Sequence, residues 1–194
     1  MRVLYINRKQ LGITLLLIGL MLVLFAFEKN FENKLKLTLL IENDIKYLKQ
    51  YDTGKEGINY KLPSEWKTSL ENYTGGEILY HNNFQSSDSV IHGFVQVINI
   101  KKELRSYLEE SKIISEKQNK IYEYNISPVK VKKNSGYLVK YEIEAKQGVV
   151  YTCYEYFIDI NGKIIRFSFY VRENSYKENM AGVFSVIVNT VEIK

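Results

Sequence analysis

From Leu11 to Phe27 the chain runs seventeen residues without a charge, between Arg8-Lys9 and Glu28-Lys29. The length predicts a membrane-spanning helix. At about 1.5 Å per residue it reaches about 25 Å, slightly under the roughly 30 Å of a bilayer's hydrocarbon, and Val3 to Ile6 can extend it. From Phe31 to Tyr51, Leu35, Leu39, Ile45 and Leu48 alternate with charge clusters and no Pro or Gly intervenes, which predicts a helix leaving the span. Its heptad is not sustained as a coiled coil requires. Asp52-Thr53-Gly54-Lys55-Glu56-Gly57 then ends the helix with two glycines and marks the start of a domain. The glycine, lysine and hydroxyl spacing of a phosphate-binding loop is absent from it.

Ile58 to Leu62 alternates as a short strand stopped at Pro63, and Trp66 is placed to cover a core edge. Glu77 to His81 and Val90 to Ile100 read as strands around a polar loop, Asn82 to Asp88. Lys102 to Gln118 has helical spacing, with Leu104, Tyr107, Leu108 and Ile114 facing away from Glu103, Arg105, Glu109, Glu110 and Lys117. Ile121 to Ile126 and Val129 to Lys132 read as two strands parted at Pro128. Asn161-Gly162 predicts a type I′ hairpin that pairs Ile160 with Lys163, Ile158 with Ile165, Tyr156 with Phe167, Tyr154 with Phe169 and Thr152 with Val171. One face of that hairpin is apolar.

A second two-residue turn at Gln147-Gly148 pairs Val139 with Tyr156, Tyr141 with Tyr154 and Ile143 with Thr152, and so extends the apolar face. The opposite face then carries the rows Glu144, Tyr151, Arg172; Glu142, Cys153, Tyr170; Lys140, Glu155, Ser168; and Leu138, Phe157, Arg166. Arginines beside aromatic rings can stack on them while pairing with carboxylates, so Tyr151, Arg172, Phe157, Arg166 and Tyr170 make up the expected partner-binding face. Ser175-Tyr176-Lys177-Glu178 has the form of a capping box. Tyr176, Met180, Val183, Phe184 and Ile187 follow at helical spacing, as a core stripe against Tyr141, Tyr154, Tyr156, Phe167 and Phe169.

Charge places the parts relative to the membrane. The net +5 is uneven: Arg2, Arg8 and Lys9 precede the apolar run with no acidic residue, which leaves 24 basic against 22 acidic residues beyond it, a net of +2. The positive-inside bias puts residues 1–10 in the cytoplasm, 11–27 through the cell membrane, 28–57 as a juxtamembrane helix and linker, and 58–194 outside as an extracytoplasmic domain. A balance of +2 gives no reason to expect nucleic acid as a partner. The lone Cys153 admits no internal disulfide, leaving a buried thiol or an intermolecular link. Cleavage after Ala26 would leave Leu24 where a small residue is needed, and no lipoprotein cysteine is present, so the run reads as an uncleaved signal anchor. Lys9-Gln10-Leu11-Gly12 before Ile13-Thr14-Leu15 resembles the start of type IV pilin-like proteins, although Leu17 stands where those carry glutamate.

Tyr60-Lys61-Leu62-Pro63-Ser64-Glu65-Trp66-Lys67 resembles the opening of PsbP and Mog1-like domains, and the order of elements from Ile58 to Lys194 is similar to theirs. The resemblance implies an α+β fold, an antiparallel sheet flanked by helices in an α/β/α sandwich. It also implies a non-enzymatic accessory role, binding a protein partner. The residues supply no competing chemistry: His81 and His92 are the only histidines, no metal-ligand spacing occurs, and hydrolase, zinc-helix and nucleotide-turn motifs are absent. Glu109 and Glu110 project about 100° apart on their helix, which separates them as an acid/base pair. No catalytic residue, metal or cofactor is therefore expected. The chain reads as a membrane-anchored interaction or assembly module, with a minor pilin-like subunit and a small-ligand receptor as alternatives.

Overall fold

Glu, Lys and Leu predominate after the apolar run, with no proline or glycine among them, and carry the first element beyond it. The computed structural model describes the backbone of residues 8–42, 45–145 and 148–194, and their side chains apart from 8–10, 24–33 and 42. Helix α1 is continuous from Arg8 to Glu42. It stops short of the expected Tyr51, because Leu48–Asp52 form strand β1, which pairs antiparallel with β2 (Ile58–Pro63). Gly54 and Gly57 adopt the left-handed backbone expected of the connecting turn. Among the described residues no helix is long and apolar enough to cross a membrane; the end of the expected span, at residues 24–27, has its side chains outside that description, as does the whole of the expected cytoplasmic segment before residue 8.

The remaining strands are β3 (Lys67–Glu71), β4 (Ile78–Gln85), β5 (Ile91–Ile98), β6 (Lys120–Val131), β7 (Asn134–Glu144), β8 (Val150–Ile160), β9 (Lys163–Arg172) and β10 (Glu192–Ile193). Helix α2 (Leu104–Gln118) follows β5, and α3 (Glu178–Val188) follows β9. β3 to β9 form one antiparallel sheet in the order β3-β4-β5-β9-β8-β7-β6, while β1, β2 and β10 form a small second sheet. The Asn161-Gly162 hairpin has the expected register throughout, with both residues at positive φ.

The next hairpin does not. Leu138 pairs with Tyr156, Lys140 with Tyr154 and Glu142 with Thr152, one residue from the expected register. The Ala145 N–H donates to Val149 O, so three residues connect the strands instead of two, with Gly148 at positive φ; Gln147 itself lies outside the described residues. A slip of one inverts a strand. Tyr137, Val139, Tyr141 and Ile143 therefore share a face with Phe157, Glu155, Cys153 and Tyr151, replacing Leu138, Lys140, Glu142 and Glu144 in the four expected rows.

Three further expectations are corrected. β4 continues through Asn82 and Asn83 to Gln85, with Asn82 buried and its Nδ2 donating to the Tyr60 hydroxyl at 2.7 Å, which gives the amide donor a partner inside the strand. β6 passes through Pro128 without a break, which an edge strand permits; its irregularity falls instead at Glu123, with φ 51°. The Ser175 capping box does not form: Ser175 ends a 3₁₀ turn, its hydroxyl bonds Asn174, and α3 begins at Glu178.

The larger core lies on one face of the seven-stranded sheet. Met180, Val183, Phe184, Ile187 and Val188 of α3, with Ile58, Tyr60 and Leu62 of β2, pack on Tyr154, Tyr156, Phe167 and Phe169. Tyr141 is absent from that cluster because of the register change. Trp66 is buried and stacks on Phe84. On the other face α2 buries only Leu108 and covers a smaller cluster with Val139, Phe157 and Ile164. Among the described residues no helix covers the half of this face nearer β3, β4 and β5.

Candidate functional site

Five strand positions define the bare half-face: Asn83 on β4, His92 and Phe94 on β5, Tyr170 on β9 and Tyr151 on β8. Period-two alternation places all of them on the α2 side. The rings contact one another in sequence. His92 meets Tyr151 edge-on at 5.5 Å and stacks on Tyr170 at 6.1 Å; Phe94 lies 6.1 Å from Tyr170 and 5.1 Å from His81, which meets Tyr73 at 5.0 Å. The five strand positions, with Arg172, Gln85, Ser89 and Ser175, line a concavity of about 810 Å³. Gly93 floors it, and a Cβ there would lie 1.8 Å from Ser168 O.

The five residues expected at the partner face fall into two groups. Tyr151, Tyr170 and Arg172 line the concavity together. Phe157 is buried, and Arg166 is held between the rings of Phe94 and Phe157 at 4.9 and 5.1 Å. The Arg166 Nη2 donates to both oxygens of buried Glu155 at 2.8 Å, and Glu155 Oε1 also accepts from Tyr170 Oη at 2.8 Å and Tyr141 Oη at 3.1 Å. Burial, the largest single influence, would lower the Arg166 pKa, but Glu155's charge, the neighbouring Tyr170 and Tyr141 hydroxyls and the hydrogen bond to Glu155 together outweigh it and raise it. Burial first, and Glu155's charge next, push the Tyr170 and Tyr141 hydroxyls up as well. This is an internal support.

The support continues under the aromatic strip. Arg166 Nη1 reaches Gln96 Oε1 at 3.5 Å; Gln96 Nε2 donates to His81 Nδ1 at 2.7 Å, His81 Nε2 to Asn83 Oδ1 at 2.8 Å, and Asn83 Nδ2 to Glu71 Oε1 at 2.6 Å. Every donor points the same way, which specifies the His81 tautomer carrying its proton on Nε2. The Arg172 side chain, by contrast, is exposed and makes no hydrogen bond or ion pair among the described residues. Burial, then the proximity of Arg172, lower the pKa of His92. Sequence spacing gave His92 and Phe94 no role, since neither sits in a motif; only the β5–β9 pairing brings them beside Tyr170.

Other hollows occur among the described residues, including one of about 400 Å³ beside Leu39 of α1 and Gly182 of α3. One of about 700 Å³ lies at the start of α2, beside Tyr137 and Asp159, and one of about 270 Å³ lies under α2 beside Tyr141 and Glu155. Among the described residues no group of His, Cys, Asp and Glu is arranged to hold a metal. Cys153 is buried, and burial followed by Glu155's charge raises its thiol pKa.

No protein-family model matches the sequence, and no curated protein does. The fold is recognisable all the same: the cyanobacterial PsbP (CyanoP) of Synechocystis superposes with a TM-score of 0.59 at 14% identity, covering 76% of this chain and 92% of that one. The domain has a PsbP-like fold. A Bacteroides thetaiotaomicron protein superposes with a TM-score of 0.54 at 16% identity, covering 75% of this chain and 48% of that one. At these identities the likeness is one of fold alone.

Proposed function

We propose that the chain is a membrane-anchored, extracytoplasmic interaction module of the PsbP-related kind, non-enzymatic, whose contact surface is the half-face that α2 leaves bare. The uncovered aromatic strip carries this reading. Tyr and Arg are the residue types that most often anchor protein interfaces, and here two tyrosines and an arginine converge on one open concavity. Support for the anchor comes from α1. Every described side chain from Leu11 to Val23 is exposed, with Thr14 the only polar one, and an exposed surface of that apolar character is what a bilayer can cover. The positive residues before it orient the domain outward.

A photoreactive residue placed at Ser89, on the concavity rim, tests the contact surface in native membranes. Adducts from Ser89 and none from Asn161, at the far hairpin tip, are expected; the reverse pattern overturns the assignment. Carbonate extraction and protease accessibility of the domain in sealed cells test the anchor, and release by carbonate would refute it. The concavity's volume also falls within the roughly 300–1,000 Å³ of small-ligand sites, which keeps a receptor role as the second reading.

A further inference from the structure

We infer that the partner segment filling the concavity presents a carboxylate to Arg172, with an apolar or aromatic side chain beside it resting on the Tyr151, His92 and Tyr170 rings. The inference depends on the bare half-face being the contact surface.

The lining holds one formal charge, that of Arg172; Asn83, Gln85, Ser89 and Ser175 are polar and neutral, and the rest are rings, aliphatic groups or glycine. No acid of this chain pairs with Arg172 among the described residues. The carboxylate of Glu155, nearest beneath the strip, accepts from Arg166, Tyr141 and Tyr170 and is turned inward. Glu71, at the other end of the strip, accepts from Asn83 and Tyr73. Those two acids are committed within the protein, Asp88 beside the rim accepts from Ser86 and the Val90 N–H, and Glu173, although exposed next to Arg172, does not line the opening, so the one charge in the lining is positive. A cationic segment would meet that arginine with no acid to receive it. A carboxylate can take the two-pronged hydrogen bond that a guanidinium offers.

The rings are held before any partner arrives. Tyr170 is tied at its hydroxyl to Glu155, and His92 is clamped between Tyr151 and Tyr170. A side chain laid on them meets a surface that needs little ordering, the condition under which aromatic contacts contribute most to affinity. The concavity is open along the sheet and is bounded by strand surfaces, a geometry suited to a polypeptide segment.

The test uses the full chain in detergent and three short synthetic peptides that are identical except for Asp, Asn or Lys beside a Phe, read by fluorescence anisotropy. The Asp peptide is expected to bind about tenfold or more tighter than the Asn peptide, and the Lys peptide weakest. R172E is expected to invert the order, and R172K to keep it with lower affinity. Arg172 is exposed, so these variants retain the fold, checked by an unchanged urea midpoint. Equal affinity for Asp and Asn peptides, or an order unmoved by R172E, overturns the inference. If Ser89 adducts form in membranes while no peptide preference exists, the carboxylate inference fails and the contact surface stands. If adducts and peptide binding are both absent, both fail.

Discussion

Replacing Arg166 by methionine removes the cation that Glu155 is built around. The Glu155 side chain is 6% exposed, and its two remaining partners would be the Tyr141 and Tyr170 hydroxyls. Removing one member of a buried ion pair costs about 3–5 kcal/mol, because the survivor is left charged away from water. Arg166 itself keeps 23% side-chain exposure, so water can partly replace it and the expected loss lies near 3 kcal/mol, the low end of that range. For a domain of this size that is a drop of about 6–12 °C in Tm. Urea unfolding of the full chain in detergent, followed by the fluorescence of the single, buried Trp66, measures it. Adding Glu155→Gln to Arg166→Met removes both charges, while the amide oxygen still accepts from the tyrosines, and should recover about 1–2 kcal/mol. A loss below about 1 kcal/mol for Arg166→Met, or no recovery in the double variant, would refute the buried pair as the organiser of this face.

Gly93→Ala forces a Cβ to within 1.8 Å of Ser168 O and 2.9 Å of Phe84 and should cost at least the about 1–3 kcal/mol of an overpacked core, seen as a lower urea midpoint. His92 makes stability depend on pH. Burial and Arg172 depress its pKa below the ordinary 6.5, so the unfolded chain protonates first. Stability is therefore full above that pH and falls as the pH drops through it, a slope that His92→Gln should remove in melts taken across that window. Cys153, buried and with its thiol pKa raised, should resist alkylation in the folded protein and react only on unfolding, read by intact mass.

The sequence was most legible where local chemistry and alternation agreed. Asn161-Gly162 named its own turn type, and the strands on either side could be counted from it residue by residue. Where a connection's length had to be assumed, a single residue was enough to exchange Tyr141 for Leu138 between faces. β4 was half hidden because Asn82 and Asn83 look like loop residues until Tyr60, from a different sheet, accepts the amide's hydrogen bond. β1 was hidden by its helix-like neighbours, since only pairing with β2 selects the extended form. Of the five expected contact residues, Arg166 and Phe157 proved to be internal. Arg172 and Arg166 sit on the same strand face, and what separates them is the reach of α2 across the sheet, which no spacing encodes.

The unbroken α1 has a mechanical consequence. From Glu28 to Leu39, which packs against Gly182 of α3, lie eleven residues of helix, about 16 Å. A flexible linker of the same length would have an average span of about 18 Å, almost the same. The helix therefore changes the spread of that distance far more than its mean. In the proposed anchored arrangement the concavity is held at one height and one tilt above the bilayer, and a second membrane protein meets it by lateral diffusion in a single plane. Recognition then depends on matching elevations as much as on matching surfaces. A few glycines inserted after Lys29 would leave the contact chemistry intact while scattering the domain over many heights.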